Sequence, residues 1–105
     1  MKDAPLSRDR AKTKLNLCIE EGRVIYTRHF QEELAKDRLT MEDVLRVCRA
    51  GAISMAPEKD IRSGGWKYRI EGHTVEREAV ALVFTFRLEA HAVIITAFRR
   101  NHGDY

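Results

Sequence analysis

Little in this chain is built for crosslinks, rigid kinks or membranes. It has two cysteines, two prolines and one tryptophan in 105 residues. Cys18 and Cys48 stand far apart, each among large apolar residues at helical spacing. That predicts buried thiols in a reducing compartment rather than a disulfide. No C-x-x-C or H-x-x-x-H spacing occurs, so no metal site is expected. There is no phosphate loop, no G-x-G-x-x-G and no G-x-S-x-G, so no cofactor is expected either. No apolar run reaches the roughly 18 residues of a membrane span. The first residues are polar, without the apolar core of a signal peptide. The expected location is the cytoplasm, away from membranes.

The apolar fraction, 44%, suits a packed core, and the length suits one domain over residues 1–105. The net charge is +3, from 19 basic and 16 acidic residues. Arginine dominates the basic set, 13 residues to 6 lysines. Arginine grips phosphate bidentately and stacks on bases, so the composition permits a nucleic-acid partner without demanding one.

Residues 1–6 carry no periodicity and are expected to be disordered. Ser7 is a helix N-cap, and Ala11, Leu15, Cys18 and Ile19 form one apolar stripe, predicting a helix over 8–21 that Gly22 ends. Val24-Ile25-Tyr26 reads as a short extended link, at most a piece of strand. Thr27 caps a second helix over 28–36, with Phe30 and Leu34 inward. Thr40 caps a third over 41–50, with Asp43 at the capping-box position. Ala52 to Met55 can form a short strand. Pro57 to Gly65 is polar and ends in Ser-Gly-Gly, which predicts a mobile loop.

The second half is strand signal. Trp66, Tyr68 and Ile70 alternate with Lys67, Arg69 and Glu71, so one face of a strand over 66–71 joins a core and the other is cationic. A bend follows at Gly72. Residues 79–87 are apolar on both parities, which suits a central strand. The last strand is expected over 92–100, with Val93, Ile95 and Ala97 opposite Ile94, Thr96 and Phe98. Helices first and strands second make an α+β plan. The expectation is N-terminal helices packed on one face of a C-terminal antiparallel sheet of three to four strands.

The candidate chemistry is histidine and cationic side chains. His29 opens the second helix as a candidate general base or phosphate contact; its ordinary alternative is a locally hydrogen-bonded helix-start residue. Lys67 and Arg69 can hold a phosphodiester and stabilise its transition state, or be the solvated face of a strand. Lys59 and Arg62 in the loop, with Arg99 and Arg100 at the end of the last strand, can gather beside them on one open face. Such a groove would suit single-stranded RNA or DNA. His73, at the bend, is a second candidate for proton transfer.

Tyr26-Thr27-Arg28-His29-Phe30, then Arg38-Leu39-Thr40-Met41-Glu42-Asp43-Val44, then Gly51-Ala52-Ile53 resembles a family of small bacterial domains of unknown function. More distantly, the layout is similar to the MqsR and RelE-like toxins, the mRNA-cleaving partners of toxin–antitoxin pairs. Glu21-Gly22-Arg23-Val24, Thr27-Arg28, Lys59, Trp66 and Phe98-Arg99 carry that likeness, with Lys67 where those toxins have a glutamine. Where those toxins have a functional tyrosine in the middle strand, this chain has Ala81. The resemblance implies a metal-free endoribonuclease or RNA-binding protein with a cognate antitoxin. Taken with the cationic strand face, that makes Lys67, Arg69 and Arg99 the candidates to neutralise phosphate, supported by Lys59, Arg62 and Arg100, and His73 or His29 the candidate for proton transfer. The alternative is a non-catalytic binding or regulatory module on the same scaffold.

Overall fold

The computed structural model describes residues 4–61, 64–87 and 90–100. Among them, three helices and a five-stranded mixed sheet make an α+β fold. Each helix starts where a hydroxyl can take up an orphan N–H. Ser7 Oγ accepts from Arg10 N at the head of α1 (Arg8–Glu20). Thr27 does the same for α2 (Arg28–Lys36), and Thr40 for α3 (Met41–Ala50), where Asp43 completes the reciprocal box. Gly22, at φ +74°, turns the chain out of α1, a conformation that costs glycine no Cβ clash.

The strands are β1 (Val24–Tyr26), β2 (Glu58–Lys59), β3 (Trp66–His73), β4 (Ala79–Arg87) and β5 (His91–Arg99). Their order in the sheet is β1-β5-β4-β3-β2. The sheet is therefore larger than the three to four strands expected, and it is not wholly antiparallel. Val24, Ile25 and Tyr26 pair in parallel with Ala92, Val93 and Ile94. Three residues are too few to declare a strand by alternation; β1 exists because β5 offers it a ladder. Likewise, residues 58 and 59 of the expected loop pair with Lys67 and Trp66. Ala52 adds one antiparallel bridge to Glu71. Leu6, expected to be disordered, donates its N–H to the Tyr68 hydroxyl and packs against the core.

One apolar cluster joins the helices to the sheet. Ala11, Leu15 and Cys18 of α1, Phe30 of α2, and Val44, Val47 and Cys48 of α3 meet Tyr68, Ile70, Val80, Leu82 and Phe84. Tyr68 stacks on Phe84 with ring centroids 5.5 Å apart. On β5 the core residues are Ala92, Ile94 and Ala97, not one parity. The register explains this. Val83 faces Thr96 but Phe84 faces Ile94, so β5 carries one extra residue, a β-bulge. A bulge moves every side chain beyond it to the opposite face. Ala97 and Arg99 therefore share a face with Ile94, while Phe98 moves to the other one.

α3 ends hard against β3. A Cβ on Gly51 would lie 2.5 Å from both the Glu71 and Val47 carbonyl oxygens. Gly72 is nearly as tight, its virtual Cβ 3.2 Å from Gly51 Cα. The approach is sealed by Ala52 N donating to Glu71 O and Glu71 N donating to Ala52 O, at 2.8 and 2.9 Å. Among the described residues, no helix is long and apolar enough to cross a membrane. Because backbone rather than a flexible side chain blocks the space, Gly51→Ala is expected to destabilise the fold by about 1–3 kcal/mol. Chemical denaturation checks this; an unshifted midpoint would contradict the tight approach.

Candidate anion-binding cleft

The α3–β3 approach leaves a cleft of about 820 Å³ at the far end of β3. Five parts of the chain supply its walls. α3 gives Arg46, the segment after it gives Gly51, Ala52 and Ser54, and β3 gives Glu71, Gly72 and His73. The β3–β4 turn gives Thr74 and Arg77, and Arg100 follows β5. Among the described residues, three arginines, one histidine and one carboxylate thus line the cleft.

Each wall has a local cause. The turn is closed by Thr74, whose Oγ1 accepts from Glu78 N and whose O accepts from Arg77 N. Arg77 sits at φ +68°, in a left-handed conformation uncommon for a residue with a Cβ. Arg100 is fixed by its N–H donating to Ala79 O at 2.8 Å. Glu71 is half-buried. Its Oε2 lies 2.6 Å from Arg69 Nε and its Oε1 3.0 Å from Arg100 Nη1. Among the described residues, Arg46, Arg77 and His73 have no hydrogen-bonding or ion-pair partner for their side chains, and all three are exposed. Exposed arginines from separate elements around one concavity raise the local potential for anions.

The residues singled out from the sequence do not form one open face. His73 and Arg100 do line the cleft. Arg69 lies further back along β3, 5.2 Å over the Phe98 ring and held by Glu71. Lys67 and Arg69 line a separate recess of about 150 Å³ with Met55, Glu58 and Val83. Lys67 faces Glu58 across the β2–β3 ladder. Lys59 sits 5.0 Å over the Trp66 ring. His29 is exposed at the start of α2 and lines neither recess. Arg62 lies outside the described residues.

Arg99 departs most from expectation. The bulge turns it to the face opposite Arg69, where it is tied into the scaffold. Its N–H donates to Asp37 Oδ2 at 3.2 Å, and its Nε to Asp37 O at 2.7 Å. Its Nη2 donates to Arg38 O, and its Nη1 pairs with Glu78. Arg99 clamps the end of β5 to the C-terminus of α2 instead of facing a ligand.

Arg46, Arg77 and Ser54 are cleft residues that the sequence does not announce. Arg46 reads as the solvent side of an amphipathic helix and Arg77 as one charge in a polar turn. The usable signal was a glycine pair: Gly51 at the end of the third helix and Gly72 within a strand, where a glycine marks a close backbone approach. The core thiol of Cys48 is pushed up to about 12 by burial, so it stays protonated and is no nucleophile. Among the described residues, no three His, Cys, Asp or Glu side chains stand close enough to hold a metal ion.

Fold and cleft together define a small α+β domain with an arginine-lined concavity at the end of its third strand. The family described as Domain of unknown function (DUF4258) matches residues 26–99, and the chain belongs to that family. No curated protein matches this chain, and no solved structure does.

Replacing Arg99 by Ala is expected to destabilise the protein by about 1.5–3 kcal/mol, the range for hydrogen bonds from a charged group. A denaturant midpoint equal to that of the parent chain would show that the clamp contributes nothing.

Proposed function

We propose that this protein binds RNA, with the cleft as its phosphate site, and that it acts as a toxin-like, metal-free endoribonuclease. The observation that carries the reading is the meeting of Arg46, Arg77, Arg100 and His73 from four parts of the chain around one cleft. Guanidinium groups match phosphate oxygens in geometry as well as charge. The chain's similarity to MqsR and RelE-like toxins adds the chemistry. RNA carries its own nucleophile. Its 2′-OH attacks the adjacent phosphorus, the bond to the 5′-oxygen breaks, and a 2′,3′-cyclic phosphate is left. His73 would take the 2′-OH proton, and water would protonate the departing oxygen. Arg46, Arg77 and Arg100 would stabilise the charge that builds on the phosphorane oxygens. Lys59, Lys67 and Arg69 would steer the strand toward the cleft along the sheet. Such an activity belongs in the cytoplasm and calls for a cognate antitoxin.

One observation favours the second reading, a non-catalytic binding module on the same scaffold. Ala81, where the toxins have a functional tyrosine, is fully buried and flanked in the sheet by Glu71 and Phe98. No hydroxyl is offered there.

Fluorescence anisotropy with a single-stranded RNA at low salt tests both. The parent chain is expected to bind, and the Arg46→Ala/Arg77→Ala double variant to bind about tenfold or more weakly, with a shallower salt dependence. On a gel, His73→Ala is expected to abolish cleavage while keeping binding. Parent chain that binds but never cuts would leave the module reading. No binding at low salt, or a double variant equal to the parent, would overturn the RNA reading.

A further inference from the structure

Glu71 is the single carboxylate lining the cleft among the described residues, and it is placed as a ligand would be. Its two oxygens bridge two guanidinium groups, Arg69 at 2.6 Å and Arg100 at 3.0 Å. A phosphate group offers arginine the same kind of oxygen pair. Its backbone cannot drift, because both its N–H and its C=O are bonded to Ala52.

The two arginines are held unequally. Arg69 is braced by the Phe98 ring, 5.2 Å away, and its side chain is 31% exposed. Arg100 lies beyond the end of β5, with its side chain 42% exposed. An exposed pair of this kind is weak and exchanges partners readily. Arg46 and Arg77 carry no carboxylate partner among the described residues.

We infer that Glu71 is a built-in counter-anion of the cleft, and that an incoming RNA phosphate displaces it from Arg100; this rests on the RNA-binding reading above. The ligand meets Arg46 and Arg77 first and then competes with the carboxylate for Arg100. Glu71 keeps its bond to Arg69. The empty cleft is thereby partly neutralised. It gives its full charge only to a ligand with several phosphate oxygens, which makes Glu71 a determinant of specificity for polyanions over small monoanions.

The test uses the full chain and a single-stranded RNA of about ten nucleotides. Glu71→Gln keeps the shape of the side chain and removes its charge, and circular dichroism confirms that the variant is folded. It is expected to tighten RNA binding about fivefold, the size of one weak ion pair. The same change made in an Arg100→Ala background is expected to give little gain, because the competition has gone. Unchanged or weaker binding by Glu71→Gln would show that the carboxylate orients Arg100 for the ligand, and would overturn the inference while the RNA reading stands. A full gain that persists without Arg100 would reduce Glu71 to a general charge effect and overturn it too. If neither the parent nor Glu71→Gln binds RNA at low salt, the inference falls together with the RNA reading.

Discussion

The close passage of the α3 C-terminus over β3 is the constraint on which the rest of the structure depends. Gly51 and Gly72 let two backbones approach to distances that a side chain would forbid. The reciprocal bonds between Ala52 and Glu71 then fix the approach. Packing follows from it: Val47 is brought over β3, and Val44 and Cys48 join it in the shared core. So does the candidate site. Arg46 belongs to a helix and His73 to a strand end, and only this crossing puts them around one cleft.

A second constraint sorts the cationic residues. The single extra residue in β5 decides which of the two neighbouring arginines lines the cleft. Before the bulge, Ile94 faces the core; after it, Ala97 and Arg99 do. Arg99 is consequently bound to the carbonyls of Asp37 and Arg38, while Arg100 reaches Glu71 and the cleft. Two residues with the same side chain, adjacent in sequence, therefore have unlike roles: one closes the scaffold and one lines a cavity.

Much of the fold was legible because it is written locally. A cap is a bond within three residues, so Ser7, Thr27 and Thr40 could be read directly. The α+β plan follows from helical spacing giving way to alternation after Trp66. What could not be read depends on partners distant in sequence. β1 is three residues that β5 recruits, and the bulge at Ile95 leaves no trace in a run of apolar residues. The site was legible in part for the same reason. His73 and Arg100 could be singled out as residues next to a strand end. Arg46 and Arg77 acquire their meaning only when the glycine crossing and the Thr74 turn bring them together. Lys67 and Arg69, prominent as an alternating cationic pair, turn out to stand beside Glu58 and Glu71.

Charge on a small basic protein is common, and a cleft that gathers it is more specific. In the proposed reading, RNA phosphate would sit at the end of β3, not along the whole strand. Titrating isotope-labelled protein with a short single-stranded RNA, and following the backbone amide signals by NMR, tests that placement most directly. The largest shifts are expected at residues 46, 51–54, 71–77 and 100, with Lys59 and Lys67 moving less. Shifts centred on Lys59 and Lys67, with Arg46 and Arg77 unmoved, would contradict that placement.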